Sequence, residues 1–181
     1  MELQSRLDLD AFYSDADPWG YSGNPDDERR RAELLSALPR RQFKRCLDIG
    51  CGNGFVTCSL PGDSVLGIDI SPKAIEWARQ HAAEKGIAER VKFSPLSLLD
   101  PAIADLGRFD LIVVTGVLYD QYIGKAKSVV RTVVDDLLEG GGVIASCHIR
   151  HWNHLRFAYT LLDRLLYPYR EYTHHLEVLV K

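Results

Sequence analysis

A glycine turn, Asp48-Ile49-Gly50-Cys51-Gly52-Asn53-Gly54, follows a short apolar strand and is answered by Ile68-Asp69 at the end of the next one. Glycine adopts left-handed backbone without penalty and lets main chain approach a ligand closely. The pattern therefore predicts a tight loop whose N–H groups face a small anionic group, with the positive end of a following helix aimed at the same place. Asp69 stands one strand-helix-strand repeat downstream, where a carboxylate can take hydrogen bonds from the two hydroxyls of a ribose. The spacing narrows the choice of nucleotide. A dinucleotide fingerprint reads G-x-G-x-x-G and wraps a pyrophosphate; here the third glycine comes one residue early.

The rest of the chain supplies strands and helices in alternation. Asn24-Pro25 with acids behind it predicts a helix over 24–38, from a capping Asn and a proline in the first helical position. Strands are expected over 45–49, 65–70, 91–95, 109–114 and 143–147, and helices over 53–60, 71–85 and 125–138, with a short one from residue 100. An amphipathic helix over 152–166 precedes two final segments, 169–173 and 176–181, that pair as a hairpin with His174-His175 at its turn. Alternation of this kind argues for an α/β doubly wound, Rossmann-like sheet. The nearly continuous apolar run at 109–114 reads as a parallel strand covered on both faces.

Composition bounds the function. The 181 residues, 46% of them hydrophobic, fit one domain over 1–181, with residues 1–40 as a lid segment and 41–181 as the core. A formal net charge of -3 gives no general attraction to nucleic acid or anionic membrane. The four cysteines form neither C-x-x-C pairs nor a disulfide framework. His151 and His154 lie one turn apart without a third ligand, so no metal is expected. No segment is apolar for long enough to span a bilayer, and the amino terminus lacks a signal-peptide pattern, so the expected location is cytoplasmic, as a monomer or homodimer.

Two stretches resemble a known family. Leu47 to Gly54 is similar to motif I of the class I S-adenosylmethionine-dependent methyltransferases, and Gly67-Ile68-Asp69-Ile70-Ser71 resembles their acidic ribose-binding strand end. The segment Asp17-Pro18-Trp19, with Val117-Leu118-Tyr119 after strand four, is similar to the NodS-like members, which methylate an amine on a saccharide. The resemblance covers about residues 15–144. It implies a seven-stranded, mostly parallel sheet in a three-layer αβα arrangement, with an antiparallel C-terminal strand. S-adenosylmethionine would be the cofactor and S-adenosylhomocysteine its product. Asp48, Gly50, Cys51, Gly52 and Gly54 would surround the methionyl end, and Asp69 would hold the ribose. Ile70, Ser97 and Leu98 would meet the adenine, Thr115 would lie at the rim, and Trp19 and Arg30, with Tyr13 and Tyr21, would close over the cofactor. The family pattern is broken at Ser97, where an Asp is common, and at Gly116, where a Glu is common.

In a doubly wound sheet, ligands bind beyond the carboxyl ends of the strands. That rule brings forward His148 as a general base, with Tyr119 and Asp120 beside it; Trp152 and Tyr159 are rings for core packing or for lining a saccharide or ring pocket. The chain is expected to methylate an amine or hydroxyl of a small molecule, a saccharide among the candidates. The competing expectation is a non-catalytic module that binds the cofactor or partners an active subunit.

Overall fold

The computed structural model describes residues 5–152 and 155–181. Five parallel strands form its centre: β1 (Arg45–Ile49), β2 (Ser64–Asp69), β3 (Val91–Pro95), β4 (Phe109–Thr115) and β5 (Leu138–Ile149). A hairpin of β6 (Thr160–Tyr169) and β7 (Tyr172–Val180) extends the sheet, with β7 antiparallel to β5. The order is β3-β2-β1-β4-β5-β7-β6, so the chain switches direction between β1 and β4. That switch opens a crevice at the carboxyl ends of those strands.

Helices cover both faces: α1 (Arg6–Phe12), α2 (Pro25–Ala37), α3 (Pro72–Glu84), the single turn α4 (Asp120–Ile123) and α5 (Lys127–Leu137). The alternation within β4 shows how the layers are made. Leu111 and Val113 pack with Leu34 of α2 and Ile75 of α3, whereas Ile112 and Val114 pack with Val130 and Val134 of α5. Successive side chains thus feed opposite cores, as a central parallel strand requires. The helix starts follow their capping residues. Asn24 accepts from the Asp26 N–H at 3.0 Å, and Ser71 accepts from the Ala74 N–H at 3.1 Å.

Three expectations are corrected. The segment expected to be a helix over 53–60 holds only a 3₁₀ turn, Thr57–Ser59. Gly54 and Pro61 leave fewer than two α-helical turns between them, and Phe55, Val56, Thr57 and Cys58 are all buried, so no solvent-facing stripe exists to make an amphipathic helix. The segment expected to be a helix over 152–166 becomes β6 from Thr160 onward; Asn153 and His154 lie outside the described residues. In β6, Leu165, Tyr167 and Tyr169 join the core beneath α2 while Leu162 and Leu166 stay exposed, so strand pairing has overridden a helix-like pattern. The hairpin turn falls at Arg170-Glu171, where Tyr169 pairs with Tyr172, and not at His174-His175. Arg170 takes a left-handed backbone there, with φ of 50°. Helices α1 and α4 have no counterpart among the expected elements.

Candidate active site

A cavity of about 520 Å³ opens over the ends of β1, β2 and β4. Asp48, Gly50, Cys51 and Gly52 line it from the first turn, and Asp69 and Ile70 from the second. Ser97, Leu98, Thr115 and Tyr119 line it from the later loops, and Trp19 and Arg30 from the amino-terminal segment. Gly54, His148 and Asp120 do not reach it. At Gly54, with φ of 82°, a Cβ would meet Phe93 and Ala78 at 3.1 and 3.3 Å, so this glycine seats the turn against β3 and α3.

The glycine loop differs from the expected anion cradle. Gly50 and Cys51 donate their N–H groups to the Ile68 carbonyl at 2.8 and 3.0 Å, and Gly54 donates to the Cys51 carbonyl at 3.0 Å. Gly52 donates to Asp69 Oδ2 at 3.0 Å. With these amides committed and no α-helix behind the loop, this end of the cavity takes its electrostatic character from two carboxylates. Asp48 is buried and receives the Thr57 hydroxyl on Oδ2 at 2.6 Å, while its Oδ1 has no hydrogen-bond partner among the described residues. Burial, and then the Asp69 charge, push its pKa up to about 6. Asp69 also accepts from the Ser71 N–H on Oδ1 at 3.0 Å, and burial holds its pKa above the ordinary value against those amides. An unsatisfied buried acceptor beside a second carboxylate suits a cationic ligand group.

The amino-terminal segment lies across this end. A Cβ on Gly52 would stand 2.7 Å from Tyr13 Oη, so the ring rests directly on the glycine. Trp19 Nε1 donates to Tyr13 Oη at 3.0 Å, and Trp77 Nε1 donates to the Tyr13 carbonyl at 3.1 Å. The Ser71 hydroxyl donates to Asp10 Oδ1 at 2.5 Å, fixing α1 to the start of α3.

The adjoining side of the cavity is made by α2 and the β6–β7 turn, near enough for the Arg30 charge to act on Asp48. Asp27, fully buried, accepts from Tyr169 Oη at 2.7 Å and from Arg170 Nη2 at 2.6 Å. Arg30 is 6% exposed and places Nη2 3.3 Å from Asp27 Oδ1, with its guanidinium 4.8 Å from the centre of the Tyr21 ring. Its Nε has no hydrogen-bond partner among the described residues. Tyr169, Arg170 and Tyr172 line the cavity although nothing local in the sequence pointed to them. Trp152 lines it too. Tyr159 does not; its hydroxyl donates to Asp135 at 2.9 Å and its ring stacks on Phe157.

The expected base is turned away from the cavity. His148 is 2% exposed, and its Nε2 accepts the Leu118 N–H at 3.2 Å, so the ring proton sits on Nδ1 and is donated to Ser146 Oγ at 3.1 Å. Burial, then the neighbouring His174, lower its pKa to about 3. Tyr119 Oη accepts the Ile149 N–H at 2.9 Å, and burial raises its pKa, so it is a fixed neutral phenol. Asp120 is exposed in the first turn of α4 and pairs with Lys127 at 2.7 Å. Among the described residues no three His, Cys, Asp or Glu side chains gather as a metal site, and no helix is long and apolar enough to cross a membrane.

The profile of a methyltransferase domain matches residues 42–172. The ubiquinone biosynthesis O-methyltransferase of Xanthomonas axonopodis pv. citri is 28% identical over 146 residues, covering 77% of this chain and 59% of that protein. The enzyme of the same description from Bordetella avium is 28% identical over 151 residues, covering 82% and 60%. The chain thus spans about six-tenths of the length of these curated relatives. Among solved structures, N-methyltransferase NodS from Bradyrhizobium japonicum WM9 with S-adenosyl-L-homocysteine shares the fold, with a TM-score of 0.76, 24% identity and 97% of each chain covered. Magnesium protoporphyrin IX methyltransferase from Synechocystis PCC 6803 with bound cofactor gives 0.71 at 18% identity, covering 99% of this chain and 98% of that one.

Proposed function

The chain belongs to the methyltransferase domain family, and from that premise we propose that it binds S-adenosylmethionine and transfers the methyl group to an amine or hydroxyl of a small molecule, a saccharide among the candidates, in the cytoplasm. The observation that carries this reading is the unsatisfied Asp48 Oδ1 in a cavity that also presents Asp69 and the unpaired Arg30 Nε. The set fits the charges of the cofactor. Asp48 would take the methionyl ammonium, Asp69 the ribose hydroxyls, and Arg30 Nε the methionyl carboxylate. Bound there, the cofactor supplies a methyl carbon on a sulfonium, open to in-line displacement by an acceptor lone pair. The protein's part is then to position and to exclude water. Residues 1–40 serve as the lid, with Tyr13 on Gly52 and Trp19 hydrogen-bonded to Tyr13, and Ile70, Ser97 and Leu98 flank the adenine.

Calorimetry with S-adenosylhomocysteine tests the reading. The protein should bind it, and Asp69→Ala should weaken binding by about 1.5–3 kcal/mol for each charged hydrogen bond lost. Unchanged affinity in the variant removes Asp69 from the site. A screen of amine and sugar acceptors then separates catalysis from a binding module, which would hold the nucleoside and transfer nothing.

A further inference from the structure

Four rings form a continuous arc along the acceptor side of the cavity. Tyr122 and Tyr119 have centroids 6.1 Å apart, Tyr119 and Trp152 5.7 Å, and Trp152 and Tyr172 5.0 Å. All four line the cavity. Successive planes are inclined by 37°, 81° and 58°, so the wall turns around a compact volume instead of presenting one flat slab. Trp152 is 45% exposed, more than packing would leave to so large a ring. Tyr119 is locked by the Ile149 N–H on its hydroxyl, which holds the middle of the arc rigid.

We propose that the arc Tyr122-Tyr119-Trp152-Tyr172 is a subsite for an alkylammonium group of the acceptor. The faces of electron-rich rings attract a cation, Trp most strongly. Fixed charge on the cavity wall leans the same way. Asp48, Asp69 and Glu171 line it against Arg30 and Arg170, and both of those guanidinium groups face Asp27. This inference rests on the methyl-transfer reading above.

The probe is choline, compared with its uncharged isostere 3,3-dimethyl-1-butanol, titrated against the protein with and without S-adenosylhomocysteine and followed by tryptophan fluorescence. Choline should bind about tenfold more tightly than the isostere. Trp152→Leu and Tyr172→Leu should each lose most of that preference while S-adenosylhomocysteine affinity, measured by calorimetry on the same samples, stays within twofold. Equal binding of the two probes, no choline binding, or a preference that survives both substitutions overturns the subsite. A protein that prefers choline but binds no nucleoside keeps the arc and overturns the methyl-transfer reading instead.

Discussion

At the Asp48 end of the cavity the contacts of the two carboxylates are short in sequence: Thr57 reaches Asp48 across 9 positions and Gly52 reaches Asp69 across 17. At the Arg30 end, Tyr169 and Arg170 reach Asp27 across 142 and 143 positions. One end is a property of two strand-turn units; the other exists only after the C-terminal hairpin has docked on α2. The first end can be read from a motif and tuned by single residues. The second stands or falls with tertiary packing, because its charges are buried and each depends on the others.

The largest expected effect tests that dependence. Asp27→Ala leaves Arg30 buried with its ion-pair partner gone and releases Tyr169 and Arg170 from α2. Losing one partner of a buried pair costs about 3–5 kcal/mol, to be read from denaturant unfolding. A loss below about 1 kcal/mol, the range of an exposed pair, would show that the hairpin docks without this network and would erase the contrast between the ends.

Acid should separate the ends next. His148 and His174 both have pKa values lowered to about 3, chiefly by burial, from an ordinary 6.5. The unfolded chain therefore binds protons first as pH falls through 6.5, and each histidine withdraws about 1.4 kcal/mol of stability per pH unit below it. Asp48 acts in the opposite sense. Its folded pKa near 6 exceeds the ordinary 3.8, so the folded state takes that proton first and recovers a similar slope between about 6 and 3.8. Together the three groups predict a loss of about 2–3 kcal/mol between pH 7 and pH 5, measurable by unfolding at each pH. Binding should follow Asp48. If the cofactor ammonium needs its carboxylate charged, S-adenosylhomocysteine affinity falls up to about tenfold per pH unit below 6, and Asp48→Asn flattens the profile. A profile that stays steep in Asp48→Asn would move the ammonium to another group.

The same contrast explains what was legible in the sequence. The β-α alternation, the capped starts of α2 and α3, and the lining positions Asp48, Gly50, Gly52 and Asp69 follow from local pattern, because turns and caps are decided within a few residues. The direction of the loop amides was not legible, since whether Gly50 and Cys51 donate outward or to Ile68 depends on the neighbouring strand. Nor was the 3₁₀ turn after Gly54, where burial on every side overruled helix propensity. His148 falls at the right strand end but faces inward; a strand residue's face flips with each position, and the long, irregular pairing of β5 hides which face is which. The 152–166 segment has apolar residues at helical spacing, and only pairing with β7 makes a strand of its second half. Tyr169, Arg170 and Tyr172 lie beyond that segment, so their place in the cavity wall had no local signal.

The smallest effect concerns the amino-terminal segment, which touches both ends. Trp19 donates Nε1 to Tyr13 over the glycine loop and offers its carbonyl to Arg170 of the hairpin turn at 2.8 Å, so one residue touches both systems. Trp19→Phe keeps the ring beside Phe12 and the backbone contact to Arg170 but deletes the donor to Tyr13. One part-buried hydrogen bond is worth about 0.5–1.5 kcal/mol. If Tyr13 acts as the cover of the bound nucleoside, the loss should appear as faster release of S-adenosylhomocysteine in stopped-flow displacement, by about two- to tenfold, with association nearly unchanged. If it appears only as lower stability against denaturant, with the release rate of the parent protein, Tyr13 is packing for the turn and the lid closes by other contacts.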